Sequence, residues 1–229
     1  MAWSSGKDSA WALHVSQRSE AFEVVGVLTT LTEPYERVSM HGVREELLDL
    51  QLAALGLPCT KVRIPSPCSN EAYQRQMADA LAELRAEGVS HVIFGDLFLQ
   101  DIRAYRETQL ASVGMQGVFP LWQRDTEELV REMLGSGLRA VITCVDPRAL
   151  SQDFAGRLLD EALLDELPDA VDPCGENGEF HSVVIAGPML TSPIAVEVGD
   201  VVEREGFVFA DVIPVEAPDA QASLLGERP

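Results

Sequence analysis

Ser4-Ser5-Gly6-Lys7-Asp8-Ser9 lead directly into Ala10-Trp11-Ala12-Leu13, which reads as the first turns of a helix. A helix N-terminus offers unpaired backbone N–H groups and a partial positive charge, and so favours anions. Gly6 lets the backbone approach a phosphate closely, Lys7 brings a cation, and the serine hydroxyls add donors. In composition and position this is a phosphate cradle. The same residues could serve structure alone, with Ser5 or Ser9 capping a helix and Asp8 near the favourable end of its dipole. The spacing is not that of the usual nucleotide loop, because Asp8 follows Lys7 and no second glycine stands upstream.

A second cluster lies far away in sequence, at Asp172-Pro173-Cys174-Gly175-Glu176-Asn177-Gly178-Glu179-Phe180-His181-Ser182. The two glycines around Glu176 and Asn177 indicate a tight turn whose backbone can approach a ligand. From Glu179 to Ile185 the chain has strand character, which puts Glu179 and His181 on one side and Phe180 on the other. A carboxylate beside an imidazole can do general acid–base chemistry or hold an amine or ammonium nucleophile. A polar surface hairpin uses the same residues, and a metal pair would lack a third ligand.

Both clusters need a scaffold. Phe22 to Thr30 reads as a buried strand, and His41 to Gly56 as a helix with Val43, Leu47, Leu50 and Ala54 on one stripe. Cys59 to Ile64 reads as a strand, Asn70 to Glu87 as a helix, and Ser90 to Asp96 as a short strand. Further on, helices are expected over Ile102–Val113, Thr126–Leu134 and Phe154–Leu167, with an extended Gly117–Trp122 and a strand at Leu138–Val145. Glu203 to Phe209 suggests a hairpin, followed by a loose tail. Strands alternating with helices imply an α/β fold, a parallel sheet with helices on both faces, with the phosphate loop at the carboxyl end of the first strand near a switch in strand order. A boundary near residue 140 divides a part that carries the phosphate loop, 1–140, from a smaller α+β portion, 141–229. Only Met1-Ala2-Trp3 precede the loop, and so short a central strand would leave its neighbours poorly paired, which predicts further apolar residues upstream.

The chain of 229 residues, 46% of them apolar, is long enough for a substantial core. Its formal charge of −20, from 37 acidic and 17 basic residues, repels nucleic acid and anionic membranes. Lys7, Arg103 and Arg106 could still form a local basic pocket for a phosphate-bearing ligand. Cys59, Cys68, Cys144 and Cys174 show no Cys-x-x-Cys spacing, no apolar run approaches membrane-spanning length, and no signal-peptide core follows Met1. A cytoplasmic protein with reduced thiols is expected.

The Ser4–Ser9 loop resembles the SGGKDS loop of the N-type ATP pyrophosphatases, with Ser5 in place of the first glycine. Together with Val38-Ser39-Met40-His41-Gly42-Val43-Arg44, Gly95-Asp96, Pro120-Leu121-Trp122 and above all Gly175 to Ser182, it resembles the diphthine–ammonia ligase family from residue 3 to about residue 190. The GE-x-GE-x-H signature is close to diagnostic of that family. The resemblance implies a Rossmann-like, adenine nucleotide alpha hydrolase-like domain and a C-terminal portion lining an acceptor pocket. It implies a reaction in which ATP activates a carboxyl group and ammonia displaces AMP to give the amide. Carried onto this chain, Ser4, Ser5, Gly6, Lys7, Asp8 and Ser9 hold phosphates, Lys7 neutralising the departing pyrophosphate. Asp8 is the candidate ligand of the Mg²⁺ that accompanies ATP. Leu28, Thr29 and Thr30 lie against the adenine with Met40 and His41 nearby, Gly95 and Asp96 complete the cofactor site, and Glu176, Glu179 and His181 face the acceptor and nucleophile. The partners implied are a small-molecule or protein-borne carboxylate and free ammonium, with no nucleic acid and no membrane, and a homodimer is kept open. Val171 to Cys174 and Phe98 to Asp101 look like the family's bacterial branch, which implies a carboxylate other than diphthine, and Ser182 stands where threonine is more usual. Two other readings belong to the same superfamily: a sulfurtransferase carrying a persulfide on Cys174, and an ATP-binding protein without catalysis.

Overall fold

The computed structural model describes residues 1–216. Parallel pairing runs through the first half of the chain, where β1 (Val27–Thr32) lies alongside β3 (Cys59–Ile64), with β2 (Arg37–Val38) antiparallel on the other edge of β1. Further on, β4 (His91–Ile93) pairs in parallel with β5 (Gln116–Val118). Residues 1–3 join the two sets. The Ala2 N–H donates to the Ile93 carbonyl at 2.9 Å, Trp3 N–H to Leu28 O at 2.8 Å, and Leu28 N–H to Met1 O at 2.8 Å. Three residues therefore pair backbone groups on both neighbours, which the reading of so short a central strand did not expect. The order across the sheet becomes β3, β1, residues 1–3, β4, β5, and it reverses between residues 1–3 and β4.

Helices cover this sheet on both sides. Ala80 and Leu81 of α3 (Asn70–Ala86) and Leu110 of α4 (Gln100–Ser112) pack with Leu28, Val62, Val92 and Phe94. The alternate residues Val27 and Leu31 of β1 pack instead with α1 (Lys7–Gln17), α2 (Glu45–Leu55) and α5 (Thr126–Gly135). This is the period-2 alternation of a sheet buried on both faces. Side-chain caps fix several helix starts: Ser69 accepts from Ala72 N–H, and Asp125 from Glu128 N–H.

The second sheet is antiparallel. Its β6 (Arg139–Val145) pairs with β7 (Leu158–Leu159), β8 (Phe180–Ala186) and β10 (Phe207–Pro214), and β10 forms a hairpin with β9 (Val196–Arg204). Its apolar residues Val141, Val145, Val183 and Val184 join the same core as α1, α2 and α5. The expected helix over Phe154–Leu167 is replaced by a turn, β7 and the short α6 (Glu161–Glu166). Gly156, at φ +83°, interrupts the run, and Asp160 caps a new start by accepting from Leu163 N–H. The strand expected from Phe22 begins only at Val27, where pairing to Pro58 O starts, and the helix expected from His41 begins at Glu45. Met40 and Gly42, at φ +66° and +67°, place His41 in a turn instead. The expected tail beyond the hairpin lies outside the described residues. Among the described residues no helix is long and apolar enough to cross a membrane, and all four cysteines are free.

Candidate active site

A cleft of about 380 Å³ opens where the parallel strands end, and both sequence clusters line it. Ser4, Lys7, Asp8 and Ser9 come from the loop and the start of α1, Leu28 and Thr30 from β1, and Met40 and His41 from the turn before α2. Gly95 and Asp96 follow β4, and Glu176 and His181 come from the second cluster. Thr29 alternates away from Leu28 and Thr30; its hydroxyl is buried and donates to Trp3 O at 2.8 Å, which holds the strand rather than facing the cleft.

The loop is bent by Ser5, a buried residue at φ +69°, a region that favours glycine. Its carbonyl accepts from Val184 N–H at 2.9 Å and from Gln51 Nε2 at 3.2 Å. Gly6, extended at the N-cap of α1, brings no side-chain cap, so the Asp8 and Ser9 N–H groups of the first turn remain available to an anion. A Cβ there would lie 2.8 Å from His41 Cε1 and 3.1 Å from Ser182 O, so only glycine fits. Lys7 is 2% exposed; its ammonium donates to Asp8 Oδ2 at 2.8 Å and to the Cys174 carbonyl, and sits 5.4 Å from the Phe180 ring centroid. Burial is the largest influence and opposes its charge, but the acidic groups around it, Asp8 first with Cys174 and Asp172, together hold the ammonium above the ordinary lysine value. Gly95 backs the loop: a Cβ there would stand 2.6 Å from the Asp8 carbonyl carbon.

The second cluster turns on Gly175 and Gly178, at φ +68° and +87°. Glu176 Oε1 accepts from Leu97 N–H at 2.7 Å, and burial pushes its carboxyl up to about 7. Glu179 does not share the cleft with His181. It precedes β8, is 5% exposed, and its Oε1 accepts from Asp172 N–H at 3.0 Å and Asn177 Nδ2 at 2.9 Å, so it braces the turn. Phe180, expected on the far side, lines the cleft with His181 and Ser182. A register shift between β6 and β8 at Ile142/Cys144, beside His181 and Ser182, disturbs the simple alternation on which the sequence reading relied.

His181 and His41 stack with ring centroids 4.6 Å apart, and His41 Nδ1 lies 3.2 Å from Ser182 O. Burial lowers both, His181 to about 4 with Lys7 adding to the effect, and His41 to about 3 with His181 adding. Both rings are neutral at pH 7 and can accept a proton or a hydrogen bond. The two clusters meet directly, since Lys7 N–H donates to Ser182 Oγ at 3.4 Å.

The far end of the cleft went unread in the sequence. Tyr73, Gln74 and Met77 of α3 face Tyr105, Arg106 and Gln109 of α4 across a floor of Ala2, Leu28, Val92 and Phe94. Helical stripes of this kind look like ordinary core packing, and no local pattern distinguishes a wall of a cleft from a buried face. Of the two arginines expected to make the pocket basic, Arg106 lines it but is paired with Asp96 at 2.8 Å. Arg103 instead stacks over Phe119 and Trp122, 4.7 and 4.6 Å from their centroids, and pairs with Glu107. Cys174 is 1% exposed, its thiol donates to Thr126 O at 3.4 Å, and burial pushes it well above the ordinary thiol range. Among the described residues no three His, Cys, Asp or Glu side chains gather around a point a metal could fill. Asp8 Oδ1 is buried without a hydrogen-bond partner, which fits a cation that also binds phosphate oxygens.

Residues 1–117 match the Diphthamide synthase N-terminal domain, and residues 125–227 the Diphthamide synthase C-terminal domain. Proteins called diphthine–ammonia ligase from Homo sapiens and Bos taurus are each 28% identical over 193 residues, a span covering 78% of this chain and 70% of the relative. One of the same name from Danio rerio is 27% identical over 188 residues, covering 74% of this chain and 72% of that protein.

Proposed function

The chain belongs to the diphthamide synthase family, and from that premise we propose that it is an ATP-dependent ligase that makes an amide from a carboxylate and ammonia. The observation that carries this reading is the meeting of the phosphate loop and the Gly175–Ser182 segment in one cleft, with Lys7 bonded to the Cys174 carbonyl and its N–H directed at Ser182 Oγ. Cleavage between the α and β phosphates needs positive charge on the departing pyrophosphate, and amide formation needs a base beside the acyl group. The two clusters supply these separately.

We read the sheet as Rossmann-like, a reading supported by the reversal of strand order beside residues 1–3, and ligands of such sheets bind outside the strand ends at the reversal. We divide the molecule near residue 140, with nucleotide held before it and acceptor after it. The adenine rests on Leu28 and Thr30 between α3 and α4, where the walls carry no charge until Arg106. Ser4, Ser9 and the Asp8 and Ser9 N–H groups of α1 take the β and γ phosphates, and Lys7 stabilises the charge that develops as pyrophosphate leaves. Mg²⁺, when bound, neutralises phosphate charge, and Asp8 is the side chain suited to hold it.

In the first step an acceptor carboxylate oxygen attacks the α phosphorus, and the bond to the β-phosphate bridging oxygen breaks. In the second, ammonia, formed from ammonium by loss of a proton to water, attacks the acyl carbon, the attacking nitrogen gives a proton to the Glu176 carboxylate, and the acyl–oxygen bond breaks to release AMP. A carboxyl near 7 suits that transfer, and the neutral His181 can orient the incoming nitrogen. Glu179 acts through the turn it braces. The relatives are named for diphthine, so a diphthine-bearing protein is the first acceptor to supply, alongside small carboxylates. Nothing favours the persulfide reading, because the Cys174 thiol is buried, protonated and bonded away from the cleft.

Incubation with Mg-ATP, ammonium chloride and these acceptors tests the proposal. AMP and pyrophosphate in equal amounts, formed with the amide and only when ammonium is present, are expected. ADP with phosphate, or ATP recovered intact with every acceptor, would overturn it.

A further inference from the structure

Gln51 is a polar side chain with no exposure to solvent, standing on α2 among Leu47, Leu48, Ala54 and Leu55. A buried carboxamide persists only when its hydrogen bonds are made, and this one reaches three separate segments. Its Oε1 accepts from the Trp3 indole at 3.2 Å, and its Nε2 donates to Ser5 O at 3.2 Å and to Val184 O at 2.7 Å. Trp3 ends the central strand, Ser5 bends the phosphate loop, and Val184 lies on β8. The Ser5 carbonyl also accepts from Val184 N–H at 2.9 Å, so loop and strand already touch at this point. The carboxamide fixes their register from a third direction.

Two residues along the loop from Ser5 is Lys7. Two residues back along β8 from Val184 is Ser182, which accepts from Lys7 N–H, and next to it is His181. A shift of Val184 against Ser5 is therefore transmitted to the distance between Lys7 and the Ser182–His181 pair. We propose that Gln51 is a positioning residue that holds the β8 side of the cleft against the phosphate loop, setting the acyl and nitrogen groups against the α phosphate. This rests on the ligase reading above. The Ser4 and Ser9 hydroxyls and the α1 N–H groups assigned to phosphate make no bond to Gln51, so phosphate binding depends on the carboxamide less than amide transfer does.

The test uses the full chain with Mg-ATP, ammonium chloride and a diphthine-bearing protein. Gln51→Leu removes the amide at nearly constant size. The expected result is an ATP dissociation constant within about threefold of wild type by calorimetry and a kcat for amide formation lowered about 10- to 100-fold, the scale of a small misplacement. Gln51→Glu supplies a second readout. Protonated, its carboxyl can donate to one of the two carbonyls; ionised, it faces both with negative charge. Its kcat should therefore fall with rising pH through an ionisation that wild type lacks, with ATP binding again retained. Wild-type kcat in Gln51→Leu, or equal losses in ATP binding and kcat, would overturn the proposal. Failure of both variants to fold would assign Gln51 to stability alone and overturn it as well. Absence of turnover in wild type with every acceptor would instead overturn the ligase reading.

Discussion

At Glu176 the buried carboxyl titrates near 7, while the two imidazoles opposite it titrate near 3 and 4 and so stay neutral across the working range. Glu176 thus changes charge near neutrality, and it does so next to the Leu97 N–H that its Oε1 accepts from. A base must be ionised to take a proton, so amide formation should rise with pH through about 7. Glu176→Gln should remove that limb and lower kcat by about 10²- to 10⁴-fold, the usual range for a positioned proton acceptor. ATP binding should persist, because the phosphate contacts lie on the loop. A pH–rate profile of wild type and variant at saturating ammonium checks this; an unchanged limb near 7 in Glu176→Gln would assign it to another group. At this scale the sequence displayed the types well, since Ser4, Lys7, Asp8, Ser9, Glu176 and His181 all reach one cleft, while Ser5 and Gly6 shape the loop behind it. It misplaced Glu179, which belongs to the turn before β8 and not to the strand, and Phe180, whose ring lines the cleft beside the Lys7 ammonium.

Elements bring these residues together through close backbone approaches. The end of β4 packs so tightly on the first turn of α1 that a Cβ on Gly95 would meet Asp8 backbone atoms at 2.6 and 2.7 Å. Backbone cannot swing aside as a side chain can, so Gly95→Ala should destabilise the fold by about 1–3 kcal/mol and weaken ATP binding. Denaturant unfolding and calorimetry check both, and an unchanged midpoint would contradict the contact. The turn at Met40–Gly42 is held from the other side, with Arg37 and Arg44 both paired to Asp211 of β10 and Gly42 against the Phe209 ring. β3, α3, α5 and β6 were legible because apolar period, caps and prolines agree in them. Phe154–Leu167 was not, because its helical periodicity is broken by one glycine at positive φ and a fresh cap at Asp160. Gln51 looked like a polar position on a helix, and its three partners lie up to 133 residues away.

Across the whole molecule the site's unusual titrations bear on stability. His41 and His181 are held near 3 and 4, below the ordinary 6.5, so between pH 6.5 and 4.5 the unfolded chain takes up protons at both while the folded one does not. Glu176 acts oppositely: its folded value near 7 exceeds the ordinary 4.5, so the folded chain holds its proton over that window. Burial raises Asp8 as well, and lowers His14 and the Met1 amino group, so four lowered groups against two raised ones leave the unfolded state binding more protons, and stability falls as pH is lowered from 6.5 to 4.5. Glu176→Gln removes one opposing group and should steepen that fall in Tm, whereas a flat Tm in wild type over this range would show that the histidines are not held neutral. The charge of −20 keeps most of the surface hostile to anions, so a triphosphate must find its positive partners locally. Calorimetric titration of Mg-ATP into wild type and Lys7→Met tests that most directly. Binding in wild type that weakens at least tenfold in a folded Lys7→Met chain is the expected result, and equal affinity in the two would contradict a phosphate site built on Lys7.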